Sequence, residues 1–216
     1  MLNQITSLSS SHPKSSEDAV DLLIGCHQRI RHFTAVAIKL AHAYGATTEE
    51  IEQAVAAVHR YYSVSLPLHE ADEDQTLQPR LRAVAGEPVR HALLVMGEQH
   101  QAIDELIERL LPLLVLARNN PDTLAEVGGE MCSITKALEE IFRAHLQMEE
   151  EVIFPAIRSV LSESAREEIL HEMRERRKQM PAGIEAKAFA ITVENEEGSD
   201  KPTSPIMLMG EASAGE

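Results

Sequence analysis

The chain reads as an all-α protein, with four amphipathic helices arranged as two hairpins and a fifth helix behind them. Three observations lead there. Only 3% of the 216 residues are aromatic and none is Trp, while Leu, Ala, Glu, Ile and Arg dominate the middle of the chain. That mixture favours helix over strand. Apolar residues recur through the same region at helical spacing, giving each segment one apolar stripe. Pro, Gly and Asn separate the stripes where helices start and stop.

Ser16 followed by Glu17 and Asp18 marks the first helix start. Its stripe, Val20, Leu23, Ile24, His27, Ile30, Thr34, Ala37, Ile38 and Ala41, runs towards Gly45. Thr48 with Glu49, Glu50 and Ile51 opens the second helix, which passes Val55, Val58 and Tyr62 on the way to Pro67. The missing N–H of Pro67 predicts a bend or a restart before His69. Pro88 suits the first position of a third helix, whose Leu93, Met96, His100, Ile103, Ile107, Leu110 and Leu114 share one face up to Asn119 and Asn120. Pro121 and Asp122 restart the chain, and Ile134, Leu138, Ile141, His145, Met148 and Val152 carry a fourth helix to the region of Pro155. A fifth helix is expected over about 162–180.

At this length, and with 44% hydrophobic residues, the chain can bury one sizeable core. We therefore read one helical domain over residues 17–190. The Ser-rich residues 1–16 and the acidic residues 191–216 lack the apolar content to order themselves and are expected to be disordered tails.

The formal charge of -15 argues against nucleic acid as a partner, because phosphates require clustered Lys and Arg. A solvated acidic surface accounts for it. Cys26 and Cys132 are the only cysteines, too few for a disulfide scaffold and without CxxC spacing, so they read as reduced thiols. The N-terminus has no basic stretch followed by an apolar run, and no segment reaches about 18 uninterrupted apolar residues. A cytoplasmic protein that does not enter the membrane is the expectation.

The chemistry lies in an internal repeat. His27-Gln28-Arg29-Ile30 returns as His100-Gln101-Ala102-Ile103. His69, Glu73, Leu77, Pro79 and Leu81 return at identical internal spacing as His145, Glu149, Ile153, Pro155 and Ile157. Each hairpin thus supplies one His from its first helix and a His-x-x-x-Glu from its second, where i, i+4 spacing stacks His and Glu on one face. Two such hairpins packed antiparallel aim four imidazoles and two carboxylates at one point.

A lone His on an apolar stripe is usually a hydrogen-bonded core residue. Six polar groups turned inward together are different, since each unpaired one costs roughly 1–3 kcal/mol and a shared cation removes that cost for all. Imidazole with carboxylate and without Cys suits Fe, Mn or Zn and opposes an iron–sulfur cluster. Six ligands are too many for one tetrahedral zinc. They suit two octahedral metals bridged by the two Glu, with positions left open for water, hydroxide or dioxygen.

His27, His69-x-x-x-Glu73, His100 and His145-x-x-x-Glu149, followed by Ile153-Phe154-Pro155, resemble the hemerythrin, or HHE cation-binding, domain over about residues 18–160. The resemblance implies an up-down four-helix bundle, here with an additional C-terminal helix. It also implies a non-haem di-iron centre that meets dioxygen, nitric oxide or peroxide, with two Fe ions favoured over Mn or Zn. Oxygen-carrying members place two His on the third helix at i, i+4, whereas His100 has Met96 before it and Asp104 after it. That weighs against simple reversible oxygen carriage. Glu70 and Glu150 are the additional candidate ligands for the missing fifth histidine.

Three functions follow in order: a di-iron protein that binds or senses a small ligand or handles iron, a di-iron oxidoreductase or iron–sulfur repair protein, and a metal-free interaction module. The repair proteins of the family carry an N-terminal cysteine module, and residues 1–16 contain no Cys. His12, His32, His42, His59, His91 and His171 fall outside the repeat and are expected at the surface or its boundary. Tyr61 and Tyr62 are read as core packing near the centre.

Overall fold

The computed structural model of the chain describes residues 18–43 and 46–178. The expected tails, Ser16 and Gly45 lie outside the described residues. The compact unit that holds the bundle ends at Glu175, and of the unit beginning at Arg176 only residues 176–178 are described.

All regular structure among the described residues is helical. Helix α1 (Ala19–Ala41) is capped by Asp18, whose carboxylate accepts the Asp21 N–H at 2.8 Å while Asp21 accepts the Asp18 N–H at 3.0 Å. This reciprocal box satisfies two of the N–H groups that a helix start leaves open. Thr47 and Glu50 build the same box ahead of α2 (Thr48–Arg60), which opens at Thr48 as the sequence predicts.

At Pro67, where a bend or a restart is expected, a π turn ends and a new α segment begins ahead of His69 without the chain leaving helix. The chain continues helically through α3 (Leu66–Ala71) and α4 (Gln78–Val84), joined by two wide π turns, Tyr61–Ser65 and Asp72–Leu77. The third rod is α5 (Glu87–Asn119), started by Gly86, with Pro88 at its second position and Pro112 inside it. A short 3₁₀ turn leads to α6 (Leu124–Met148), and a third π turn, Glu149–Ile153, leads to α7 (Phe154–Val160). Helix α8 (Glu163–Lys178) is the fifth helix the sequence predicts.

The prolines and the π turns belong together. Pro67, Pro79 and Pro155 each stand just after a π turn. In an α-helix each would clash with the carbonyl four residues back and leave it without a donor. Those carbonyls belong to Ser63, Gln75 and Glu151, all inside the π turns. Widening the helix there makes room for the ring, so a proline that elsewhere breaks a helix is absorbed.

Helix α1 packs on α2 and α6, and α5 packs on the same two, which closes a ring of four rods. Short connections make ring neighbours antiparallel. One end is filled by Leu23, Leu81, Leu93, Met96, Phe154 and Ile157, with Ile169 and Met173 of α8 laid against them. Each such side chain contributes roughly 1.5–3 kcal/mol on burial. Arg80 fixes α8 from outside by a 2.6 Å ion pair with Glu172. Further along, Val55, Val58, Leu110, Leu114, Met131, Ile134 and Leu138 are buried. The repeated His and Glu lie between these two apolar stretches.

Candidate metal centre

All four rods of the ring contribute. His27 comes from α1, His69 from α3, Glu73 from the π turn that follows it, and His100 from α5. His145 ends α6 and Glu149 opens the last π turn. None of the six is more than 4% exposed.

Each Glu spans the two hairpins. Glu73 lies 3.1 Å from His69 Nε2 through Oε1 and 3.1 Å from His100 Nε2 through Oε2. Glu149 lies 2.8 Å from His27 Nε2 through Oε2 and 3.1 Å from His145 Nε2 through Oε1. Each carboxylate therefore meets the His one turn before it and the first-helix His of the other hairpin. Two overlapping groups result, His27, His69, Glu73 and Glu149 in one and Glu73, His100, His145 and Glu149 in the other. Within each group one donor atom per residue lies within 4.8 Å of all the others.

The outer imidazole nitrogens are held as well. His27 Nδ1 lies 2.8 Å from Glu150 Oε1, which also accepts from Arg31 at 2.8 Å. His100 Nδ1 lies 3.2 Å from Asp74 Oδ1, and His145 Nδ1 lies 3.1 Å from Gln99 Oε1. An acceptor at Nδ1 fixes the proton there and turns the Nε2 lone pair inward. His69 Nδ1 is buried and has no hydrogen-bond partner. Phe154 stacks on the His27 ring at 4.9 Å, a packing role for the residue between the repeated Ile and Pro.

Two carboxyl groups in one dry cavity cannot both ionise cheaply. Burial drives the Glu73 carboxyl well above its ordinary value, and the charge on Glu149 drives it further. Burial also opposes charge on Glu149, but attraction to His145, His27 and His69 outweighs it and brings that carboxyl to about 2. Burial pushes His145 down to about 4 and His69 well below the usual imidazole range. Burial opposes charge on His100 too, but its hydrogen bonds to Asp74 and Glu73 raise it to about 11.

The protein atoms alone do not satisfy this core. His27 Nε2, His69 Nε2, Glu73 Oε1 and both Glu149 oxygens are buried without a hydrogen bond, although each lies within 3.1 Å of a neighbour. They are close together without being aimed at one another. Hydrogen bonding leaves that arrangement at a cost of roughly 1–3 kcal/mol per group, whereas cations shared by the six donors satisfy it. The donor set fits a pair of metal ions.

The family model of the Hemerythrin HHE cation binding domain matches residues 18–157. The chain belongs to the hemerythrin family. No curated protein matches it. Metal-cation binding goes with this domain, and the two buried His/Glu groups are compatible with it.

The six donors that the repeat singles out in this hemerythrin domain all meet at one place. The two additional candidates stand apart from both groups. Glu150 is partly exposed and holds His27 from behind. Glu70 sits on the His100 side, where burial and repulsion from Asp104 lift its carboxyl to about 7 and Oε1 is buried without a hydrogen bond.

Asp74 and Gln99 went unread in the sequence. Asp74 had a signal, since an acid follows the repeated Glu in both hairpins, as Glu73-Asp74 and Glu149-Glu150. Gln99 had none. His32 and His59 are half-buried, and His42, His91 and His171 are exposed. Tyr62 bonds Thr34 at 3.1 Å and Tyr61 stacks on Phe33 at 4.2 Å, as core residues do.

Proposed function

We propose that this chain is a non-haem di-iron protein that binds or senses dioxygen, nitric oxide or a peroxide. The observation that carries the reading is the sharing of both carboxylates, Glu73 and Glu149, between two pairs of imidazoles. His27 and His69 would hold one ion, His100 and His145 the other, and the two Glu would bridge them. Four donors of this kind leave coordination positions open and suit iron better than a closed tetrahedral zinc site. Bound iron would supply reversible one-electron chemistry and a place for a small ligand to bind.

The chain's own part is to hold His27, His100 and His145 in one tautomer, to keep bulk water out and to limit what can reach the centre. Depth favours a ligand of a few atoms, since His27 and Glu149 are fully buried. Two surface hollows of about 430 and about 550 Å³ are both lined by Arg31 and Glu150, the pair that stands behind His27. Among the described residues Cys26 and Cys132 form no disulfide, in keeping with a reducing, cytoplasmic compartment. No described helix is long and apolar enough to cross a membrane.

Metal analysis of anaerobically purified protein, with optical spectra before and after air or nitric oxide, tests the reading. About two irons per chain and a new charge-transfer band are expected. Protein that stays metal-free after reconstitution with ferrous iron would overturn it and leave a helical interaction module.

A further inference from the structure

The proline that follows each π turn is repeated between the hairpins, but the residue before it is not. Phe154 precedes Pro155 in the second hairpin, where Gln78 precedes Pro79 in the first. Both close the same wide turn, the Phe154 N–H on the Glu149 carbonyl and the Gln78 N–H on the Glu73 carbonyl. Each therefore stands one five-residue turn past a converging carboxylate, on the same side of its helix. Phe154 covers the centre from there. Its ring stacks on the His27 imidazole with 4.9 Å between centroids and is 4% exposed.

Phe154 also lines the surface hollow of about 550 Å³ between α1 and α7, with Val20, Ile24 and Pro155 as its other apolar walls. One ring thus separates open space from a fully buried imidazole. A molecule the size of water takes roughly 30 Å³, so room in the hollow is not what limits entry. Most core side chains are locked because their neighbours are close-packed on every side. Phe154 borders empty space and can turn into it.

From this placement, and resting on the di-iron reading above, we infer that Phe154 is the gate of the centre. Small neutral molecules of the dioxygen or nitric oxide class enter from the hollow between α1 and α7 when the ring swings aside. Apolar walls suit that class, because an ion passing them would lose its hydration without gaining a partner. The cations on the lining are already paired, Arg31 with Glu150 and Arg158 with Asp18 and Asp21. The shallower hollow between α5 and α6, about 330 Å³, presents the polar Gln99 that holds His145 and serves as the comparison.

A gate acts on entry and exit alike, so it changes both rates and leaves the equilibrium where it was. A ring that only positions His27 would change affinity instead. Ile24→Trp fills the α1/α7 hollow and Ile141→Trp the α5/α6 hollow, each from a half-buried position that is not a donor. The chain has no Trp of its own, so fluorescence reports whether each new indole is buried. Circular dichroism checks helix content.

Stopped-flow binding of nitric oxide to the ferrous-loaded chain is the first measurement. Phe154→Leu should raise association and dissociation rates together by about tenfold, Ile24→Trp should lower both by about tenfold, and Ile141→Trp should change neither. The second needs no metal. Xenon, an apolar atom of similar size, should bind the metal-free parent and Ile141→Trp chains but not Ile24→Trp, as read by xenon NMR.

Unchanged rates in Ile24→Trp, or slowing in Ile141→Trp instead, would overturn the gate and leave the di-iron reading intact. A Phe154→Leu chain whose affinity shifts through one rate alone would assign the ring to positioning His27 and sink the gate as well. Xenon binding that survives Ile24→Trp would count against it independently of iron. A chain that takes up no iron would remove the di-iron reading and this inference together.

Discussion

The two hairpins of the bundle carry the same ligands and differ in what stands behind them. In each, a first-helix His and a His-x-x-x-Glu converge, a π turn opens at or just before the Glu, and a proline closes it. The acid after each Glu reaches across to the other hairpin, Asp74 to His100 and Glu150 to His27. There the likeness ends. Arg31 offsets Glu150, whereas burial and repulsion from neighbours including Asp74 raise the carboxyls of Glu70 and Asp104. The first hairpin also has an additional π turn at Tyr61–Ser65, and His69 lacks a partner at Nδ1 where His145 has Gln99. The converging His and Glu stay duplicated while the residues around them differ.

The largest effect is expected where the hairpins share an atom pair. Glu149→Ala removes a bridge from both groups, so metal analysis should fall from about two ions per chain to less than one. Retention of both ions would show that the hairpins bind independently. Acidification should empty the centre next. The imidazoles must be neutral to bind, and His100, raised to about 11, has to release a proton to do so, so metal affinity should fall progressively with falling pH across the range 5–8. Equilibrium dialysis across pH 5–8 checks this.

The outer acids give the sharper comparison. Asp74→Asn and Glu150→Gln should each cost roughly 10–100-fold in metal affinity, the first on the His100 side and the second on the His27 side. Equal loss of both ions in either variant would mean that the crossed pairing has no local effect.

A smaller effect belongs to the core beside the centre. Tyr62→Phe removes the bond to Thr34 and should cost about 1 kcal/mol in urea unfolding at neutral pH. Burial raises the Tyr62 phenol well above its ordinary value, even against the bond to Thr34. Its folded value exceeds its unfolded one, so its contribution is complete below about pH 10 and is lost as pH rises above that. The Phe variant should therefore show a flatter alkaline stability profile than the parent.

Much of the bundle was legible in the residues. The apolar stripes placed four rods and a fifth helix, and the repeat picked out six side chains that do meet. What misled was the local rule for proline. Pro67 reads as a bend or a restart, and Pro155 as the end of the fourth helix, because their N–H groups are missing. Whether a helix ends there or widens into a π turn depends on what the rods on either side can bury, and helix continues past both. Thr48 does open the second helix, but Ser, Thr and Asp are all competent N-caps and only the closed hydrogen bonds pick out Thr47 before it and Asp18 before the first helix.

By itself the sequence determined the class of fold and the six His and Glu that converge, because helical spacing and the duplicated His-x-x-x-Glu are properties of residue order. Tertiary structure alone decided which carboxylate serves which imidazole. Asp74 and His100, like Glu150 and His27, sit on different hairpins, and their pairing exists only once four antiparallel rods are in register. The same packing set the charge around each half of the centre. That field is a sum over neighbours from several helices, which no spacing along one chain segment records.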